Sequence, residues 1–268
     1  MKAPIGSPMD VYVPHPRGVG VFLASGDVAR MAASPMKLGR EAELLVAARA
    51  RWVAIWVESP DGAPRRASLA TVQRVADGLR GFGLGVSVWS FPRPGEAARA
   101  GQHLGRIATA IGAELAILDV EDPDGARGPL DWEADHARML VDATIEELRE
   151  RTMLAVTSYP GRVGHGLPWG ELAAGIGMPQ VYGTADRPQS AAAAVRSWRD
   201  VHGAVIPITS LRSPGAQHAN VDAAQLRARM SAIALEDVTA IALWSWALLR
   251  VSLEHRAAVA AWSDARAW

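Results

Sequence analysis

Eight short runs of β-branched and apolar residues recur along the chain, separated by longer segments whose apolar positions fall at helical spacing. That alternation is the mark of βα units building a parallel sheet, and it constrains the fold more than any other feature. The strand-like runs are Gly18 to Ala24, Trp52 to Glu58, Gly85 to Phe91, Leu115 to Glu121, Met153 to Tyr159, Pro179 to Tyr182, Ala204 to Thr209 and Ala240 to Trp246. Between them the spacing predicts helices over Leu69 to Gly81, Glu96 to Ile111, Glu133 to Arg151, Ser190 to Val201, Ala223 to Ile233 and Leu253 to Trp262, with Asp222 as an N-cap. Eight such units close into a single (β/α)8 TIM barrel of the α/β class, and 268 residues match the roughly 250 that this fold needs. The competing architecture, an open doubly wound sheet, calls for a Gly-rich phosphate turn after its first strand. Ala24-Ser25-Gly26-Asp27 is not G-x-G-x-x-G. Residues 1–17 read as an N-terminal extension and residues 18–268 as the barrel.

Charge excludes one class of partner. Lys and Arg number 28, Asp and Glu also 28, and no basic run interleaves with aromatics, so no nucleic-acid partner is expected. The chain has no cysteine, which removes disulfides, thiolate metal sites and a cysteine nucleophile. Its seven histidines form neither H-x-H nor H-E-x-x-H, so neither a metal nor a cofactor is expected. No uninterrupted apolar stretch reaches membrane-spanning length, and no apolar leader precedes Gly18. The expectation is a chain without membrane insertion, cytoplasmic as made, which would reach an extracellular polymer only by lysis or a dedicated export system.

The Gly-, Pro-, Asp- and Ser-rich stretches at 59–66, 122–132, 160–168 and 211–220 all follow predicted strands. In a (β/α)8 barrel the loops at the carboxyl ends of the strands form the functional face. The fourth strand turns acidic as it reaches that face, in Leu115-Ala116-Ile117-Leu118-Asp119-Val120-Glu121-Asp122-Pro123. Alternation puts Asp119 and Glu121 on one side of the strand and Val120 on the other. Two carboxyls held close in a partly dry site push their proton affinities apart, so one stays protonated while its neighbour ionises. That division suits glycosidic bond cleavage. A further carboxylate could come from Glu58 or Asp61 after the second strand, or from Asp27, and the sequence leaves the choice open.

Ile117-Leu118-Asp119-Val120-Glu121-Asp122 resembles the fourth-strand motif of the lysozyme-type muramidases of glycoside hydrolase family 25. Val88-Trp89-Ser90-Phe91 is similar to the aromatic end of that family's third strand, and Ala242-Leu243-Trp244-Ser245-Trp246 to its aromatic final strand. The resemblance implies Glu121 as general acid and Asp119 as the group that organises or stabilises the reacting sugar. The family also carries an aspartate within its first strand, where this chain has the apolar Gly20 to Ala24 and, beyond it, Asp27. Chitinase-like barrels are a second comparison, since they pair a D-x-E strand end with a tyrosine after the sixth strand, a place Tyr182 could fill. That resemblance implies that the substrate's own acetamido group is the nucleophile, oriented by Asp119 and Tyr182.

Flat aromatic faces pack on pyranose rings, and Trp89, Tyr159, Tyr182, Trp244 and Trp246 fall near predicted strand ends, whereas Trp52, Trp56, Trp198 and Trp262 read as packing residues. The expected substrate is therefore a polysaccharide, peptidoglycan or another N-acetylated glycan. The alternatives are a catalytically inactive glycan-binding or structural barrel, such as a component of a secretion or phage-like assembly, and a barrel acting on a phosphorylated metabolite through the loop that contains Arg212.

Overall fold

A computed structural model describes residues 16–58, 68–121, 132–149, 151–159, 167–182, 188–211 and 221–266. The apolar runs form β1 (Gly18–Leu23), β2 (Ala50–Trp56), β3 (Gly85–Ser90), β4 (Leu115–Asp119), β5 (Met153–Ser158), β6 (Ile176–Pro179), β7 (Ile208–Ser210) and β8 (Ala240–Trp244). All pair in parallel, in the order β6-β5-β4-β3-β2-β1-β8-β7. Bridges from Gly177 to Val205 and from Gln180 to Ile208 join the two ends. The sheet thus closes into a (β/α)8 barrel.

Side-chain alternation divides the core in two. Phe22, Trp52, Ala54, Trp89, Leu115, Ile117, Ala155, Ile176, Met178, Ile206, Ile208, Ala240 and Ala242 fill the barrel interior. Their strand neighbours, such as Val21, Val53, Leu118 and Leu243, face outward under the helices. Gly20 is fixed by this packing. A Cβ there would stand 2.1 Å from the ring of Trp52, whose indole takes the space that a larger residue on β1 would need.

The outer layer holds α1 (Ser25–Ala32), α2 (Pro35–Ala47), α3 (Leu69–Gly81), α4 (Ala97–Ile111), α5 (Ala134–Glu147), α6 (Trp169–Leu172), α7 (Pro188–His202), α8 (Ala223–Ala234), α9 (Trp246–Val251) and α10 (Leu253–Asp264). Local chemistry sets several of their starts. Asp222 Oδ1 accepts from Gln225 N at 2.7 Å, and Asp222 N donates to Gln225 Oε1 at 3.1 Å, a capping box that opens α8 as expected. Ser68 accepts from Thr71 N at the start of α3.

All eight strands differ from their expected bounds by at least one residue, and the last three differ in the most informative way. The sixth, expected over Pro179 to Tyr182, lies three residues earlier, at Ile176–Pro179, with Gln180 N still donating to Ser158 O at 3.0 Å and Val181 N to Ile208 O at 2.7 Å beyond it. The seventh, expected from Ala204, is confined to Ile208–Ser210, since Pro207 lacks the N–H that would extend its ladder toward Ala204. The eighth ends at Trp244, and the chain turns at once into α9 through a cis peptide between Trp244 and Ser245. The proposed N-terminal extension, Asp61 and Arg212 fall largely or wholly outside the described residues. No helix among those described is long and apolar enough to cross a membrane.

Candidate active site at the mouth of the barrel

The inward positions of β4 run Leu115, Ile117, Asp119, and the next on that face is Glu121, just past the strand end. Asp119 is buried at 6% exposure, while Glu121 is partly open to solvent. The residue that joins them comes from beyond β6. Gln180 donates its Nε2 to Asp119 Oδ1 at 3.0 Å and to Glu121 Oε1 at 2.7 Å, so both hydrogens of one amide are held by the pair.

No cation pairs with Asp119 or Glu121 among the described residues. Burial, the negative charge of Glu121 and a hydrogen bond to the Glu121 carboxyl push Asp119 well above the usual carboxylate range, and the Gln180 amide offsets only part of this. The pair retains a proton under conditions that would strip an exposed aspartate. Tyr182, half-buried beside it, is held well above the ordinary phenol range by burial and then by the charges of Asp119, Glu121 and Tyr159. It stays a neutral hydroxyl donor. Tyr159 is half-buried at the end of β5, and Thr157, in register with Asp119, turns a buried hydroxyl inward that has no partner among the described residues.

The other side of the mouth is aromatic. Trp89 meets Trp56 at 4.4 Å, Trp244 at 5.1 Å and Phe22 at 5.5 Å between ring centroids, all edge to face. Its indole N–H donates to Leu23 O at 3.0 Å. With 4% exposure Trp89 is a floor, while Trp56 and Trp244 are half-buried and offer their surfaces to the opening.

Asp119, Glu121, Tyr182, Tyr159, Trp89 and Trp244 therefore gather at one end of the barrel. Trp246 does not join them. Strand alternation would have turned it inward with Trp244, but as the first residue of α9 it is fully buried outside the sheet and donates to Glu41 Oε2 at 2.6 Å. Asp27 is also elsewhere. Its carboxylate accepts from Ala24 N at 3.0 Å, closing the first turn of α1, and pairs with Arg30. Glu58 is half-buried past the end of β2.

Gln180, Thr157 and Trp56 are the residues that sequence reasoning missed. Gln180 and Tyr182 are two apart and share a face, a signal available only once β6 is placed. Trp56 continues the inward series Trp52, Ala54 on β2. Among the described residues no cluster of three His, Asp or Glu side chains is arranged to hold a metal ion.

No protein-family model matches the sequence, and no curated protein does. Solved structures do match it. A GH113 β-1,4-mannanase aligns with a TM-score of 0.68 at 10% identity, over 93% of this chain and 98% of that one. A GH5_18 protein from Streptomyces cattleya in complex with Manb1-4GlcNAc aligns with a TM-score of 0.63 at 16% identity, over 93% and 80%. A GH5-4 broad-specificity endoglucanase from an uncultured bacterium gives a TM-score of 0.63 at 8% identity, over 92% and 94%. These three are glycoside hydrolases of families 113 and 5 and not family 25 muramidases. At such identities the likeness is one of architecture, and by it the chain is a single (β/α)8 TIM barrel.

Proposed function

We propose that the chain is a glycoside hydrolase acting on an N-acetylated cell-wall glycan, with peptidoglycan the first substrate to try. The observation that carries this reading is the Asp119–Gln180–Glu121 cluster at the carboxyl end of the barrel, which no cation among the described residues joins. Two oxygens that share one nitrogen at these distances stand closer than the roughly 6.5–9.5 Å of an inverting acid–base pair. Both carboxyls also leave the same strand, so they approach a bound sugar from one side.

Such a pair suits a reaction in which the substrate supplies its own nucleophile. The proton that the pair retains passes from Asp119 to Glu121, which gives it to the glycosidic oxygen as the C1–O bond breaks, and the acetamido oxygen attacks C1 to form a cyclic intermediate. Asp119 accepts from the acetamido N–H, and Tyr182 donates to the acetamido oxygen. Water then attacks C1 with the Glu121 carboxylate taking its proton, which restores the pair and retains the anomeric configuration. Trp56, Trp244 and Tyr159 contact the sugar rings, over the floor formed by Trp89.

The second reading, an inactive glycan-binding or structural barrel, is favoured by one observation. Asp27, the carboxylate nearest the first strand, is already engaged by Ala24 and Arg30. Release of reducing ends from peptidoglycan and, in parallel, from chitin decides between them. Release by the wild type and none by folded Glu121→Gln supports the hydrolase. Glycan binding that survives Glu121→Gln, with no release by either protein, supports the inactive barrel.

A further inference from the structure

Outside the sheet, where α2 packs beside α9, lies a groove of about 500 Å³. Its walls carry Arg30 from α1, Lys37 and Arg40 from α2, Arg250 from α9 and Arg256 from α10, against one carboxylate, Glu41. In a chain whose charges cancel overall, five cations in one groove are a strong local excess.

Glu41 cannot balance them. It is 5% exposed and already serves Arg30 Nε at 3.2 Å and the Trp246 indole at 2.6 Å. It stands 4.0 Å from Arg250 Nε, beyond hydrogen-bond reach, and that buried N–H has no hydrogen-bond partner among the described residues. Asp27, behind Arg30, is spent on that guanidinium and on Ala24 N. Arg256 donates to the carbonyls of Leu249 and Arg250, which fixes its guanidinium at the end of α9. Lys37 and Arg40 are exposed on α2 with no ion-pair partner among the described residues.

We infer that this groove is a second ligand site, separate from the mouth of the barrel, for a phosphoryl anion carrying at least two adjacent negative charges. Four of the five cations are arginines, whose planar forks match phosphoryl oxygens in pairs. The volume falls within the roughly 300–1,000 Å³ of small-ligand pockets. Leu44 and Val251 give the groove apolar sides. The ligand is either a free diphosphate or a segment of a phosphate-bearing polymer, and the two share this recognition chemistry.

Isothermal titration of the full chain with inorganic pyrophosphate at low salt tests the site. Saturable one-to-one binding is expected, weakened at least tenfold in Lys37→Glu/Arg40→Glu and unchanged in Arg227→Glu, a charge reversal on α8 that controls for net charge. Should the reversed double variant melt early, Lys37→Gln/Arg40→Gln serves instead, with a smaller loss in the same direction. Linear polyphosphate separates the sources: several proteins bound per chain mark a polymer ligand, and no advantage over pyrophosphate marks a free diphosphate. Absence of saturable binding to the wild type, or equal affinity in the wild type and both double variants, would overturn the inference. Glycan cleavage, where present, is expected to be the same in all these variants.

Discussion

Two pairs of acidic residues sit at or near the carboxyl ends of the strands and meet different fates. Asp27 and Glu41 lie outside the sheet with Arg30 between them and Arg250 at its edge. Asp119 and Glu121 lie at the inner mouth and share the neutral amide of Gln180, with no cation beside them among the described residues. Burial pushes Asp27 up as well, with a small addition from Glu41, but the Ala24 N–H and Arg30 pull it back, whereas Asp119 has the Glu121 charge added to its burial and only the Gln180 amide against it. A buried carboxylate with a guanidinium beside it ties helices together. One without a cation keeps a proton ready to move, the state that acid–base chemistry uses.

The sharpest way to break this comparison is Glu121→Gln. It is expected to lower glycan release by about 100-fold or more, as for loss of a general acid, with the urea unfolding midpoint little changed. On the other pair the expected loss is the reverse. Glu41→Ala should cost about 3 kcal/mol in urea unfolding and leave glycan release per folded molecule intact. That figure is at the low end for a broken buried pair, because the Arg30 and Arg250 side chains remain 33% and 31% exposed.

Titration sharpens the contrast through sign. Burial pushes His202 of α7 down from 6.5 to about 4, so it is neutral in the fold and charges first in the unfolded chain. Stability from this residue is complete above pH 6.5 and falls as pH drops toward 4, by up to roughly 3 kcal/mol. Asp119 acts oppositely. Its raised affinity means that the fold loses stability as pH climbs from the ordinary value of 3.8 through the folded-state value. Asp119→Asn should match the wild type at low pH and exceed it in denaturant midpoint at neutral pH, while losing activity. The smallest expected effect is Trp246→Phe, which removes the donor to Glu41 and costs about 1.5 kcal/mol without touching cleavage.

Much of the barrel was legible in the chain. Helix α3 spans Leu69–Gly81 as its spacing predicts, since Ser68 caps its start and its apolar positions repeat at the helical period. The D-x-E pattern put Asp119 and Glu121 on one face because β4 is short, apolar and uninterrupted up to Asp119. The same alternation rule failed at Trp246, where the strand had already ended and a helix begun. The bounds of β6 and β7 also escaped it, since β6 starts at Ile176 in a run that Gly175 and Gly177 make less apolar, and Pro207 cuts the ladder of β7 short.

What the sequence determined by itself is the class of fold and the carboxylate-bearing strand end, because periodicity and alternation are properties of neighbours along the chain. Only the tertiary structure decided which carboxylates share a proton and which are neutralised. Gln180 is 61 residues from Asp119, and Trp246 is 205 from Glu41. A proton affinity depends on burial and on charges across such gaps, and only closure of the barrel brings those groups within a few ångströms.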